Sequence, residues 1–393
     1  MRGAQALAME WKLSGYRRSN GTLGVRNHVA VLAAADNVNP LARQLADQTP
    51  GTTFIRASFG RGQLGDDFKL ALRTMAGMAA HPNVSDCLIV SFELASAERV
   101  AERVRAAGRN AAILSLLDEG GIGASLRVGQ RMLTNMVARA QQEARVPISI
   151  RELVVGLECG GSDVTSGLIG NPGLGGFTDH LIDSSSTAIF SEPVECLGAE
   201  SILKARAANP EAAAALLRAV ARRHEIAKEQ GTDLLGANPT ADNIAGGLST
   251  IEEKSLGALA KSGTRRIEGL LDYAERPPQP GLWMMDAPSA AVENITALAA
   301  GGCQVIMFVT GSGNPVGHPI APTIKICANP RAAQRMAEHI DVDLSAVLLG
   351  KLDPAQGTRA IAEAFARVVN GEETAAERLD YVDTTISRIA QST

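Results

Sequence analysis

Aromatic side chains are scarce in this sequence, only 3% of 393 residues, too few for the stacking platforms that bind single-stranded nucleic acid. Charge of neither sign accumulates. Lys and Arg together number 38, Asp and Glu 42, and the net charge of −4 is spread without a block of like sign. Neither a phosphate backbone nor an anionic membrane surface is therefore an expected partner. The cysteines Cys87, Cys159, Cys196, Cys303 and Cys327 are scattered, odd in number and without a CxxC, which argues against a disulfide framework or a zinc ribbon. No apolar run reaches the roughly 18 residues of a membrane span. The N-terminal MRGAQALAMEWKLSG lacks the apolar core of a signal peptide. These absences together lead us to expect a cytoplasmic protein.

What is present is an alternation of short apolar runs and amphipathic stretches. VAVLAAAD (Val29–Asp36), TTFIRAS, DCLIVSFE (Asp86–Glu93) and AAILSLLD (Ala111–Asp118) read as strands. Helices are expected over Asn39–Asp47, Asp66–Ala80 and Ala124–Arg145, the last ending at Val146-Pro147. The pattern restarts with ELVVGLE, TAIFSE (Thr187–Glu192), an Ala/Arg-rich stretch over Leu197–Gln230, GLWMMDAP, CQVIMFVTG and TIKICANP. Such alternation predicts an α/β protein built from βαβ units, with mostly parallel sheets covered by helices. At this length two lobes are expected. We place their boundary at 147/148, with most of the site motifs in the C-terminal lobe.

Ligands of open α/β sheets bind at the carboxyl ends of the strands, and there the chemistry collects. After ELVVGL comes ECGGSD, with Glu158, Cys159, Gly160, Gly161, Ser162 and Asp163; after TAIF comes SEPVECLGAE, with Glu192, Glu195 and Glu200. After CQVIMFV comes TGSGNPVGHP, with Gly311, Gly313, Asn314 and His318. Each cluster has a plainer reading. Paired glycines often mark a tight turn, a lone cysteine is more often a buried apolar residue than a nucleophile, and Asp163 is suited to cap the next helix. GSGNP lacks the Lys-Ser/Thr of a P-loop, which argues against nucleotide binding. Arg17, Arg18 and Arg26 flank glycine-rich turns, and arginine forks bind carboxylate or sulfonate oxygens, although surface arginines beside a hairpin are equally common. Residue chemistry alone describes a cleft enzyme acting on a small anion.

Four long motifs carry it further. GYRRSNGTLGVRN, GLECGGSDVTSGLIGNPGLG, NIAGGLSTIEEKSLGALAKSG and TGSGNPVGHPIAPTIKICANP occur in that order. Together they resemble the altronate/galactarate dehydratase family of metal-dependent lyases, from Gly15 to about Leu349. GLWMMDAPSAA and PTIKICANPRAAQRMAEHIDVD are most similar to the branch that releases sulfite. The resemblance implies β-elimination on a small 2-hydroxy acid, in that branch (2R)-3-sulfolactate giving pyruvate and sulfite. In the sugar-acid branch water leaves and a 2-keto-3-deoxy acid forms. Sugar-acid members carry a small extra N-terminal domain, for which GYRR at Gly15 leaves no room. A separate small subunit is therefore an expected partner, within an oligomer. A non-catalytic subunit that binds a ligand and a partner is the reading from another class, and the retained polar motifs argue against it.

The resemblance also implies a divalent metal, Fe²⁺ first and Mn²⁺ or Mg²⁺ next, which acidifies the proton on C2. Candidate ligands are Cys159, Glu192, Glu195 and His318. Candidate proton carriers are Glu158, Asp163, Lys254 and His318; Lys254 is included because a buried lysine readily loses its proton. Arg17, Arg26 and Lys325 are the candidate anion binders. Gly160, Gly161, Gly311 and Gly313 would present backbone N–H groups to substrate, and Ser162, Ser166, Asn171 and Asn314 side-chain donors.

Overall fold

A computed structural model describes residues 11–60, 62–229, 231 and 238–389. The chain enters through β1 (Leu13–Arg17), which turns back antiparallel as β2 (Leu23–Gly24). It then runs through β3 (His28–Ala33), β4 (Thr52–Ile55), β5 (Val84–Ser91) and β6 (Ala112–Ser115), a parallel sheet of order β4-β3-β5-β6. The helices Asn39–Asp47, Gly65–Ala79 and Leu94–Ala106 make the crossovers, and Ile122–Ala140 follows the last strand. Each carries one apolar stripe onto the sheet, as helix periodicity requires.

The helix expected to reach Arg145 stops at Ala140, and Val146–Ile148 forms β7, antiparallel to β1. Pro147 can sit there because a strand at the edge of a sheet need not donate every N–H. The three-stranded ribbon β2-β1-β7 was not legible as strand, because GYRRSNGTLG reads as turns.

The second sheet has seven parallel strands in the order β10-β11-β9-β8-β12-β13-β14. They are β8 (Val154–Cys159), β9 (Thr187–Ser191), β10 (Ile267–Leu271), β11 (Gly281–Met285), β12 (Val305–Val309), β13 (Thr323–Cys327) and β14 (Val342–Asp343). Val155, Leu157 and Cys159 face one core, which holds the helices Asn171–Asp183 and Pro354–Val369. Ile306 and Phe308 face another, shared with the helices Gly65–Ala79 and Leu94–Ala106 that cover the four-stranded sheet. A strand buried on both faces reads as an unbroken apolar run, hence VIMFV and TAIFS. Polar groups tie the segments beside the two sheets together as well: Asn83 Nδ2 donates to Gln304 O at 2.9 Å and Ile320 O at 2.8 Å, and Gln304 Nε2 donates to Leu23 O at 2.9 Å.

Strand order reverses at β8. The chain passes from β8 to β9 on one side and returns with β12 on the other. A reversal of this kind opens a crevice at the carboxyl ends of the strands concerned.

Candidate active site

The crevice is a cavity of about 400 Å³ lined by Cys159–Asp163 at the end of β8, Glu195 after β9, and Gly311 and Ser312 after β12; Thr240, Asp242, Asn243, Gly246, Lys254, Ser289 and Asn329 complete the wall. Gly161 stands at φ +61 with Ser312 against it. Only a residue without Cβ fits that backbone and that approach. The two glycine loops zip onto each other here. Gly311 N and Ser312 N donate to Gly161 O at 3.1 and 3.0 Å, and Gly160 N donates to Val309 O at 3.1 Å. Gly313 N donates to Thr310 Oγ1 at 3.1 Å. The N–H groups of Gly160, Gly311 and Gly313, expected to face substrate, are thus spent holding the loops.

Asp163 acts as the hinge of the same loop. Its Oδ1 accepts from Thr165 Oγ1 at 2.7 Å, Ser166 N at 3.0 Å and Ser166 Oγ at 3.3 Å, and its Oδ2 accepts from Asn329 Nδ2 at 2.7 Å. The capping role was the plain alternative for this residue. A single π-helical turn, Ser166–Gly170, follows before the helix Asn171–Asp183, a departure common at functional sites. Asn171 is spent on that junction, donating to Gly257 O at 2.9 Å. The Ser162 hydroxyl is buried at the cleft wall without a partner.

Beneath the cleft lies a buried cluster of charge. Cys159, Glu192 and Glu195 bring one thiol and two carboxylate oxygens within 4.8 Å of one another. Glu192 reaches it from a left-handed backbone, φ +71, at the end of β9. Such a conformation is strained for a non-glycine residue and persists where the surroundings dictate it. Lys261 Nζ stands among the three donors, 2.7 Å from Glu192 Oε2, 3.0 Å from Cys159 Sγ and 3.6 Å from Glu195 Oε2. Lys254 Nζ is 2.6 Å from Glu195 Oε1 and also donates to Asn238 Oδ1. Glu158 lies alongside, accepting from Asn294 Nδ2, with its other oxygen unpartnered.

Burial opposes every charge in this cluster, and the neighbours decide the outcome. Burial raises Glu158 well above the carboxylate range, with Glu192 adding to the effect. Burial and then Glu195 push Glu192 up to about 8, against the pull of Lys261. For Glu195 burial also pushes upward, but Lys254 and Lys261 outweigh it and the group stays low. Burial pulls both lysines downward, but Glu195 outweighs it for Lys254, and Cys159, Glu192 and Glu195 outweigh it for Lys261, so both are raised. Lys254 is therefore an ammonium.

Several expected residues lie elsewhere. Arg17 is on the surface, 2.9 Å from Glu152. Arg26 forks onto Glu377, with Nε 2.7 Å from Oε1 and Nη2 2.9 Å from Oε2. Lys325 donates to Val316 O over the ring of Phe308, and burial drives its pKa well down. Asn314 borders a neighbouring hollow rather than the cleft. His318 does not join the ligand trio. Its loop turns back to the start of β13, and its Nδ1 accepts from Ile320 N at 3.3 Å.

Lys261, Asn294 and Asn329 were not foreseen. A signal existed for Lys261: it follows Lys254 by seven residues in one helical stretch, Ile251–Ser262, so both cations share a face.

The sequence matches the D-galactarate dehydratase/altronate hydrolase second domain over residues 15–141 and the D-galactarate/altronate dehydratase C-terminal domain over residues 150–392. The chain belongs to this family. It is 38% identical to the (2R)-sulfolactate sulfo-lyase subunit beta of Chromohalobacter salexigens, over 96% of this chain and 97% of that one. It is 31% identical to the altronate dehydratase of Escherichia coli, over 96% of this chain and 77% of that one. The galactarate dehydratase (L-threo-forming) of the same organism is 34% identical over 62% of this chain and 46% of its own. Membership in this family of dehydratases makes the protein an enzyme of the lyase class. Among the described residues no helix is long and apolar enough to cross a membrane.

Proposed function

We propose that this family member is a metal-dependent lyase that performs β-elimination on (2R)-3-sulfolactate, giving pyruvate and sulfite. One observation carries the reading. The Cys159–Glu192–Glu195 trio reaches, through Cys159 and Glu195, a cleft that also presents the Lys254 ammonium. End-to-end similarity to a sulfo-lyase subunit favours the sulfonate as leaving group.

The trio suits a metal: its donors are close, and Glu192 Oε1 is buried with no hydrogen-bond partner. The thiol favours Fe²⁺, while two carboxylates also admit Mn²⁺ or Mg²⁺. A divalent ion there would draw electron density from the substrate carboxylate and C2 hydroxyl and so acidify the C2–H bond.

The chain's own groups do the rest. Lys254 pairs with an anionic end of the substrate, and the Ser162 hydroxyl donates to one of its oxygens. Of the expected proton carriers only Asp163 and Lys254 border the cleft. Lys254, already an ammonium, has no lone pair to accept with, so the C2 proton passes to the Asp163 carboxylate. The C2–H electrons form the C2=C3 bond as the C3–S bond breaks with its electron pair leaving on sulfite. The enol gains a proton at C3 while losing that of its hydroxyl to become pyruvate. Loops joined by direct backbone hydrogen bonds hold the cleft in shape for this, since preorganised groups need not rearrange during the reaction.

A sugar-acid dehydratase is the second reading. Hydroxide, unlike sulfite, leaves only with a proton, and the Lys254 ammonium is a proton donor at the cleft. We further infer that the chain works with a separate small subunit, because the sulfo-lyase relative is named as a subunit beta. The test is release of sulfite and pyruvate from (R)-3-sulfolactate by the purified chain with Fe²⁺, with and without a co-expressed small subunit. Equal amounts of both products are expected. Their absence from a verified, metal-loaded complex, together with turnover of altronate or galactarate, would favour the dehydratase.

A further inference from the structure

The cation at the centre of the trio is unusual. Lys261 is almost wholly buried, and its ammonium contacts a thiol and two carboxylates. Of these, Glu195 also has Lys254, while Glu192 has no other ion-pair partner among the described residues. Lysine is rarely buried without a partner, and here its partners are the three donors best suited to a metal. Protein donors approach a transition ion at about 2.0–2.3 Å. An ion touching all three donors and an ammonium touching the same three would stand only a few ångströms apart. Two cations that close in a low-dielectric interior repel strongly, so they do not share the site.

We propose that Lys261 is the resident cation of the Cys159–Glu192–Glu195 site, and that a divalent ion enters by displacing its ammonium. This rests on the metal reading given under the proposed function. Lys261 thereby sets two properties of the protein. It holds the trio assembled before metal arrives, because the carboxylates are already paired and drawn inward. It also sets the affinity, because the ion must pull the donors away from a bound cation. Lys254 is not equivalent. It takes the outer oxygen of Glu195, Oε1, on the cleft side, and leaves the space among the three donors open.

The two lysines are carried by the same segment. It packs against the helix Asn171–Asp183 at Gly175, whose Cβ position is filled by the carbonyl of Ala260. Thr178 Oγ1 donates to Lys261 O at 2.9 Å, sharing its hydrogen with Leu174 O at 3.0 Å. The Lys261 backbone is thus pinned, and displacement is a swing of its side chain alone.

The test is Mn²⁺ binding by calorimetry to the full chain, with Co²⁺ absorption as a second readout of thiolate ligation. Lys261→Gln keeps a polar side chain of similar reach without the charge. It is expected to bind Mn²⁺ at least about tenfold more tightly than the wild type, a tenfold change being about 1.4 kcal/mol. Its thermal midpoint without metal should fall and should rise further on adding Mn²⁺ than that of the wild type. Lys261→Arg retains the charge and should bind no better than the wild type. The thiolate-to-cobalt band should appear in wild type and Lys261→Gln and vanish in Cys159→Ser. Equal or weaker Mn²⁺ binding by Lys261→Gln overturns the proposal while leaving the metal site intact. Absence of binding by the wild type, with no change in Cys159→Ser or Glu192→Gln, overturns the metal reading instead. Should Lys261→Gln not fold alone, recovery of folded protein only in Mn²⁺ supports displacement, and failure to recover counts against it.

Discussion

Lys254 Nζ lies 2.6 Å from Glu195 Oε1, with both side chains nearly enclosed, at the boundary between the cleft and the charge cluster beneath it. Burial pulls the lysine's pKa downward, and the carboxylate more than compensates. The pair therefore presents positive charge to the cleft while remaining internally neutral.

Lys254→Met should abolish most turnover, lowering kcat/KM by roughly 10²–10³, the scale associated with loss of a positioned charge at a reacting anion. The variant also leaves Glu195 buried without its nearer cation, which costs about 3–5 kcal/mol when a buried pair is broken. A thermal melt run beside the assay separates the two effects. A well-folded variant with normal kcat/KM would remove Lys254 from the mechanism.

Asp163→Asn distinguishes the hinge from the proton carrier. Both oxygens of Asp163 already accept hydrogen bonds, and an amide can supply only one acceptor. As a hinge, Asp163 should show its loss chiefly as a rise in KM of about 10- to 100-fold, the scale of a hydrogen bond to a charged group, because Ser162 and the glycine loop shift. A collapse of kcat at unchanged KM would instead assign Asp163 the C2 proton. Steady-state kinetics of the variant, with kcat and KM read separately, decides between the two roles.

Much of the fold was legible because buried parallel strands announce themselves as apolar runs and the helices as amphipathic ones. The helix Asn39–Asp47 was read to the residue, β5 and β9 to within two residues at either end, and β3 to within three. The ribbon β2-β1-β7 was not, because its strands are short and rich in glycine, arginine and proline. At the site, the sequence marks which strand ends carry chemistry, and the Cys159, Glu192 and Glu195 expected as ligands do converge. Which residues meet across the sheet depends on strand order, and no local pattern encodes that β8 lies between β9 and β12. Arg26 shows the limit. An arginine among glycines looks like an anion binder, yet its anion is Glu377, 351 residues further on.

That pair makes a stability prediction. Arg26 also donates to Val368 O at 2.8 Å and Glu372 O at 2.7 Å, so one guanidinium ties the first lobe to the end of the chain. Arg26→Met should destabilise the protein by about 3 kcal/mol, the lower range for breaking a buried charge pair. The expected signs are a lower denaturation midpoint and unchanged kcat. A loss of substrate affinity without loss of stability would return Arg26 to the site.

Acid should loosen the junction between the lobes through its histidines. His81 is fully buried, its Nδ1 accepting from Asn83 N at 3.0 Å and its Nε2 lying 3.1 Å from Cys303 O. His318 is buried with Nε2 unpartnered. Burial, reinforced by Arg276 and His318, drives His81 well below its ordinary value, and burial with His28 lowers His318 to about 3. Both are neutral in the folded protein, whereas in the unfolded chain each takes up a proton near pH 6.5. Their contribution is therefore complete above about pH 6.5 and drains away as pH falls toward the folded values. The loss approaches 1.4 kcal/mol per pH unit for each, or about 2 kcal/mol apiece between pH 6.5 and 5. Thermal midpoints measured across that window should fall steadily, before carboxylate protonation dominates. His318→Asn keeps an acceptor near Ile320 N and removes one titrating ring, so its midpoint should fall less steeply than that of the wild type. A flat midpoint between pH 6.5 and 5 in the wild type, or an unchanged slope in the variant, would show that these rings do not set the acid limit of the fold.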